Sequence, residues 1–324
     1  MSQNMIPSTQ STHRALVLGA TGSFGSTMCT RLLQEGWQVN GLSRNPDTDS
    51  LTSDINWFQG DALHFKDVEQ ACVDCDVIIH AVNPAGYRDW NTLVLPMLEN
   101  TLQVALRKNA CVLMPGNIYN YAMDAGLEIV EDREQHPPSK KGMVRVQMEQ
   151  RLKEFANQGG HCIVLRCGDF FGANGKSDWF HQAIATKGIN STRLLTPSHS
   201  HVGHQWAYLP DVAETMMQLT QKRAQLPNYA CFHMRGHWDP DGRLVTKISA
   251  DIIQQHTGKR PRIAAFPWWA IRVLSPFHRT SKELLEMRYL WQYPLRLDNR
   301  HLVEILGTEA HTPWHQALTE TLNS

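Results

Sequence analysis

The sequence predicts an α/β protein built on a doubly wound parallel sheet, followed by a smaller C-terminal α+β domain. Three observations carry that expectation. A short apolar run, Ala15 to Leu18, passes directly into the glycine-rich GATGSFG. Short apolar segments then alternate with segments of helical period as far as Gly172, the pattern of βαβ units whose helices cover both faces of a parallel sheet. Beyond Gly172 prolines, histidines and tryptophans become frequent and the alternation ends. A chain of 324 residues exceeds the usual size of one domain, which fits a polar tail over 1–13, a nucleotide-binding domain over 14–172 and a substrate domain over 173–324. The stretch 205–235 is expected to return to the first domain.

The elements follow in order. Ala15 to Leu18 is the first strand. STMCTRLLQEG places Met28, Leu32 and Leu33 at helical spacing and ends at Gly36, where a helix C-terminus favours a positive φ. WQVNGLSR, INWFQGD and CDVIIHAV read as strands two to four, with helices between. NTLVLPMLENTLQVALRKNA is a helix, CVLMPGNIY the fifth strand, VRVQMEQRLKEFANQGG a helix ending at a double glycine, and HCIVLRCGDFFG the sixth strand. In the C-terminal part LPDVAETMMQLTQKR is the clearest helix. TSKELLEMRYLW carries Thr280 and Glu283 at capping-box spacing, and DNRHLVEILG runs from an N-cap at Asp298 to a stop at Gly307.

Composition removes several function classes. Lys plus Arg and Asp plus Glu number 31 each, so no overall field attracts nucleic acid or an anionic membrane. Seven scattered cysteines fit a reducing compartment. The N-terminal MSQNMIPSTQSTHR has no apolar core of a signal peptide, and no apolar run approaches the roughly twenty residues that span a bilayer. A cytoplasmic protein is expected.

Gly19, Gly22 and Gly25 form G-x-x-G-x-x-G between a strand and a helix. Glycines let such a turn adopt conformations closed to other residues and bring backbone amides close to a pyrophosphate at a helix N-terminus. The loop from Gly19 through Thr21, Gly22, Ser23 and Phe24 to Gly25 is therefore the expected dinucleotide contact, the plain alternative being a tight turn. The second strand ends in Ser43 and Arg44, where an NAD site carries a carboxylate for the ribose hydroxyls. Ser43 can donate to a 2′-phosphate and Arg44 can pair with it bidentately, so NADP is expected over NAD. Arg44 as an exposed loop cation is the other reading.

With those motifs in place the chain resembles the extended short-chain dehydrogenase/reductases, the NAD-dependent epimerase/dehydratase group. The glycine pattern matches. So does Gly60-Asp61 after the third strand, followed by Ala62; the resemblance implies that Asp61 bonds the adenine amino group. DVIIHAVNP resembles the segment lying along the cofactor, which implies contacts from Ala81, Val82 and Asn83. LRCGDFFG and WAYLPDVAE resemble later signatures, so the likeness runs from Ala15 to about Arg223. It implies a Rossmann-type doubly wound parallel sheet with a smaller C-terminal α+β substrate domain.

The catalytic positions depart from the family's serine or threonine and Tyr-x-x-x-Lys. The serine position falls on Pro115, and the tyrosine and lysine positions fall on Lys141 and Arg145. Pro115 has no hydroxyl, and Arg145 stabilises charge but does not act as a base. Lys141 is a candidate acid/base group, or a solvated lysine at a helix start. Tyr119 and Tyr121 are candidate relocated tyrosines, with Asn117 able to bond a substrate oxygen; a tyrosine at position 119 otherwise packs or lines the pocket. The candidate catalytic set is thus Tyr119, Tyr121, Lys141 and Arg145.

Other signals carry less. His199, His201 and His204 cluster without a ligand framework, so no metal is expected, although His204 or Trp206 could touch substrate. Cys72 and Cys75 form a C-x-x-C that ends a helix rather than opening one. Trp268 and Trp269 in FPWWAIRVL suit a core or lid better than a membrane patch. The expected function is an NADP(H)-binding oxidoreductase acting on a small carbonyl, hydroxyl or sugar-nucleotide-like metabolite with a non-standard catalytic set. Open alternatives are an inactive NADP-binding regulator or scaffold and an NAD-dependent sugar-nucleotide epimerase or dehydratase. The partner is a small-molecule substrate, and a homodimer is compatible with this reading.

Overall fold

The computed structural model describes residues 13–46, 53–84, 90–173, 175, 178–198 and 201–324. Its first half is a run of βα units: β1 (Arg14–Leu18), α1 (Ser23–Gln34), β2 (Gln38–Ser43), β3 (Ile55–Gln59), α2 (Phe65–Ala71), β4 (Val77–His80), α3 (Trp90–Lys108), β5 (Cys111–Asn117), a short β6 (Glu128–Ile129), α4 (Lys140–Asn157) and β7 (Cys162–Cys167). The second half holds β8 (Asp169–Phe171), β9 (Arg193–Thr196), β10 (His204–Tyr208), α5 (Leu209–Gln221), β11 (Tyr229–His233), β12 (His237–Asp239), α6 (Leu244–Thr257), β13 (Arg262–Ala265), α7 (Trp268–Leu274), α8 (Arg279–Glu286), β14 (Arg296–Leu297), α9 (Arg300–Leu306) and α10 (Trp314–Leu322).

Seven strands form one sheet in the order β11-β7-β5-β4-β1-β2-β3, and every pairing in it is parallel. The order reverses direction beside β1, so the carboxyl ends of β1 and β4 flank the crevice where ligands of such sheets bind. Side-chain alternation explains the two covering layers. Ala15 and Val17 join Ile79, Leu113 and Leu165 against α1 and α5, while Leu16 and Leu18 join Ile78, Val112 and Val164 against α3 and α4. Leu16 and Leu32 are completely buried, each contributing roughly 1.5–3 kcal/mol of apolar transfer.

A third core gathers Tyr121, Phe171, Phe180, Trp206, Tyr208, Trp291 and Leu318, so the aromatic-rich texture of the C-terminal sequence becomes packing. Gln205 ties this part to the large sheet: its amide donates to the carbonyls of Met234 and Arg235, and its oxygen accepts the Leu297 N–H at 2.7 Å.

Two helix starts differ from expectation. The N-cap of α8 is His278, whose Nδ1 accepts the Ser281 N–H, and the Thr280 side chain lies outside the described residues. The N-cap of α9 is Asn299, one residue late; Asp298 instead accepts the Arg300 N–H at 2.9 Å and pairs with its guanidinium. Asp298 reaches across a turn from outside the helix, which residue spacing alone does not separate from a true cap. No helix among the described residues is long and apolar enough to cross a membrane.

Candidate active site

The glycine turn sits at the carboxyl end of β1. Gly19 has φ +87°, and its carbonyl accepts the Gly22 N–H at 2.9 Å. A Cβ on Gly19 would stand 2.7 Å from the Ala81 carbonyl oxygen, and one on Gly25 only 2.0 Å from the Gly19 carbonyl oxygen. Both contacts are with backbone, which has nowhere to retreat. The close approach sets the first turn of α1 directly on the strand end. Gly22 is the N-cap and brings no side chain to the free amide end, and the first turn carries no acidic residue. An anion there meets backbone N–H groups and the positive end of the helix dipole.

Thr21 is exposed and Ser23 half-buried, whereas Phe24 turns into the core and stacks near Phe170; only the Phe24 backbone faces the turn. The Ala81 N–H donates to Leu18 at 3.0 Å, extending the β1 and β4 pairing so that half-buried Ala81 and Val82 and exposed Asn83 run beside the turn. At the ends of β2 and β3 the Ser43 carbonyl accepts the Gly60 N–H at 3.0 Å. Ser43 is half-buried and Arg44 exposed. Asp61 is held by its own N–H to Asp67 Oδ2 at 2.8 Å, while its Oδ1 accepts from Leu63 N at 3.0 Å; Ala62 is buried behind it. A hollow of about 330 Å³ lined by Arg14, Trp37, Asn40 and Asn56 lies at the amino ends of the same strands, the opposite end from this cradle.

Pro115, Lys141 and Arg145, the positions that the resemblance matches to the family's catalytic groups, are held as follows. Pro115 is buried in β5, and its carbonyl accepts from Arg145 Nη1 at 3.4 Å. The Arg145 guanidinium lies over the Trp90 ring, 5.3 Å from its centroid. Nearby, His80 at the end of β4 donates or accepts at 2.9 Å with Thr101 Oγ1; burial, reinforced by the Arg145 charge, pushes its pKa down to about 3, so the ring is neutral. Lys141 is buried, which corrects the solvated reading. Its ammonium pairs with Glu283 of α8 at 2.9 Å and its backbone N–H donates to Glu286 at 3.1 Å.

The two tyrosines separate. Tyr119 is half-buried, and its hydroxyl donates to Asp169 Oδ1 at 3.0 Å. The other Asp169 oxygen lies 2.9 Å from His204 Nε2, and His204 Nδ1 lies 3.1 Å from the Leu290 carbonyl. A carbonyl and a carboxylate oxygen thus face the two ring nitrogens. The ring is also stacked on Trp291 at 3.7 Å. Asn117 has its oxygen taken by the Tyr119 N–H at 3.1 Å, so it orients Tyr119. Tyr119 and Asp169 follow the adjacent strands β5 and β7, at the ligand-binding end of the sheet.

Tyr121, by contrast, is fully buried. Its hydroxyl accepts from Arg166 Nη1 at 2.6 Å and lies 3.3 Å from His233 Nε2. Arg166 in turn grips Glu149 through two bonds of 2.9 and 2.6 Å, and Asn120 and Gln135 donate to the same carboxylate. Burial raises the Tyr121 pKa. Its place is inside a structural network.

Of the remaining sequence signals, Trp206 is buried in the aromatic core and Trp268 is buried while Trp269 is 76% exposed. Cys72 and Cys75 are buried free thiols, His201 is exposed, and His199 lies outside the described residues. The pairings of Asp169, Arg166 and Glu283 carried no sequence signal, because their partners lie 35 or more residues away except for Arg166 and Glu149, 17 apart.

A parallel sheet in this order with a glycine turn at its switch point defines a Rossmann-type fold. The chain belongs to the NAD dependent epimerase/dehydratase family, whose model matches residues 15–234. It is similar in fold to MoeE5 in complex with UDP-glucose and NAD (TM-score 0.75, 17% identity, 96% of this chain and 97% of that one). The UDP-glucose 4-epimerase from Brucella ovis in complex with NAD gives TM-score 0.75, 15% identity and coverage of 96% and 98%. In sequence it is 33% identical over 91 residues to 2-alkyl-3-oxoalkanoate reductase of Shewanella oneidensis, spanning 28% of this chain and 24% of that protein. It is 23% identical over 103 residues to anthocyanidin reductase of Arabidopsis thaliana, spanning 28% and 30%. The matched segments thus span less than a third of these curated relatives.

Proposed function

We propose that the protein binds NADP(H) and works as an oxidoreductase on a small carbonyl or hydroxyl compound, with Tyr119 in place of the family's tyrosine. The observation that carries the cofactor reading is the glycine turn, where a Cβ added to Gly19 or Gly25 would run into backbone, together with Ser43 and Arg44 instead of a carboxylate at the end of β2. Gly22, Ser23 and Gly25 would hold the pyrophosphate, Asp61 the adenine, Ala81 to Asn83 the flank, and Ser43 with Arg44 the 2′-phosphate. When bound, the nicotinamide supplies hydride exchange. The chain's part is the proton: Tyr119 would turn its hydroxyl from Asp169 to a developing alkoxide, and His204 holds the Asp169 carboxylate in place.

Two observations favour other readings. The NAD in the solved relatives favours NAD, and the buried Lys141 to Glu283 pair, standing where the family's tyrosine would be, favours a regulator without turnover. Titrating the protein with NADPH and NADH separates the cofactors. Wild type is expected to prefer NADPH by at least about tenfold, since a charge-assisted bond contributes roughly 1.5–3 kcal/mol. Arg44→Asp is expected to erase that preference while leaving NADH within a few fold. Equal affinity in the wild type contradicts the NADP assignment.

A further inference from the structure

The start of α5, strand β12 and the loop before α10 bring Asp211, His237 and His311 together, with one ligand-capable atom from each within 4.8 Å of the others. Asp211 and His237 are buried and His311 is exposed. From this juxtaposition we propose a binding site for a divalent transition cation of the zinc class, with Asp211, His237 and His311 as its protein ligands and water in the remaining position.

The hydrogen bonds around the cluster are those that prepare side chains for a metal. His237 Nε2 lies 2.6 Å from the Thr312 carbonyl. A carbonyl only accepts, so Nε2 carries the proton and Nδ1 carries the lone pair. That Nδ1 is buried with no hydrogen-bond partner, a cost that a cation removes. A ligating histidine characteristically donates its other nitrogen to a carbonyl or carboxylate, which fixes tautomer and ring direction.

Asp211 is oriented in the same way, accepting the Thr312 N–H at 2.8 Å and its hydroxyl at 2.6 Å, which leaves further lone pairs on both oxygens. One residue, Thr312, thus positions two of the three ligands, and its neighbour in sequence is the third. The loop is anchored from behind: Glu309 accepts the N–H groups of Arg235 and Gly236 at 2.8 and 2.7 Å. His237 is packed between Phe171 and Trp314 and stacked on His311 at 4.3 Å. Two imidazoles and one carboxylate suit zinc better than calcium or magnesium, which take oxygen ligands. A bound cation would join α5, which covers the large sheet, to the C-terminal loop.

The test uses the full chain stripped with a chelator and titrated calorimetrically with Zn²⁺, with Co²⁺ as a coloured probe of coordination and Mg²⁺ as control. One equivalent of Zn²⁺ is expected to bind and to raise the thermal midpoint, with Mg²⁺ doing neither. His311→Ala removes only an exposed ring, so the variant should fold, and it is expected to weaken the site by at least about tenfold and abolish the midpoint shift. His311→Cys, which restores a ligand, should recover both and add a sulfur-to-cobalt absorption band. Unchanged Zn²⁺ affinity in His311→Ala, or no binding to the wild type, would overturn the proposal.

Discussion

Replacing Gly25 with alanine is expected to abolish dinucleotide binding, a loss of at least about a hundredfold, while destabilising the fold by roughly 1–3 kcal/mol as overpacking does. The new Cβ would lie 2.0 Å from the Gly19 carbonyl oxygen and 2.7 Å from its carbonyl carbon. Helix α1 must therefore back away from the end of β1, taking its first-turn amides out of reach of a pyrophosphate. Gly36→Ala is the matched control. Gly36 also has a positive φ, +77°, but no atom lies within 4 Å of the added carbon. It should cost about 1 kcal/mol of backbone strain and leave binding unchanged. Calorimetric titration with NADPH beside thermal unfolding separates the two effects; full affinity in Gly25→Ala contradicts the assignment of the turn.

The second large effect is expected at the buried Arg166. Arg166→Met leaves Glu149, 3% exposed, without its bidentate partner, and breaking a buried pair on one side costs about 3–5 kcal/mol. The double change Arg166→Met with Glu149→Gln should recover a large part of that, because no buried charge is then left over. The same network makes the fold acid-sensitive. Burial, together with the Arg166 charge, pushes the His233 pKa down to about 3, as burial and Arg145 do for His80. Both rings fold neutral, whereas the unfolded chain takes up protons below about pH 6.5. Their contribution is fully present above that pH and is lost as the pH falls toward 3, each ring by about 1.4 kcal/mol per unit. Glu149 adds a later loss. Burial alone would raise its carboxyl, but Arg166, Gln135 and Asn120 hold it below the usual range, so its contribution fades below about pH 4. Chemical denaturation at pH 7.5 and 5 is expected to show a drop of several kcal/mol; equal stability at both contradicts the neutral, buried assignment.

The parallel sheet, the apolar stripe of α1 and the glycine turn after β1 were legible in the sequence because each rests on neighbours in the chain: alternating strand and helix segments, Met28 and Leu32 four residues apart, a glycine beside a strand. What was not legible depends on distant partners. Tyr119 and Tyr121 are equivalent candidates by position, and they part only because Arg166, 45 residues from Tyr121, and His233, 112 residues away, enclose one of them. Lys141 read either as an acid/base candidate or as a solvated helix start because nothing local announces Glu283, 142 residues on. Asp169 read as part of a strand signature, and its role in holding Tyr119 depends on the β5 and β7 register. The histidine-rich stretch drew attention to His201 and His204, whereas the histidines that meet an aspartate, His237 and His311, are 74 positions apart and carry no motif.

The central claim is that the chain turns over a carbonyl compound with Tyr119 as its proton donor. The most direct measurement follows nicotinamide absorbance of wild type and Tyr119→Phe with NADPH across a panel of small carbonyl compounds. The account predicts turnover by the wild type and a fall in kcat of about 10² to 10⁴ in Tyr119→Phe, with NADPH affinity unchanged. Wild-type turnover by Tyr119→Phe, or tight NADPH binding with no turnover by either protein, would contradict it, and the second result would point to the regulator.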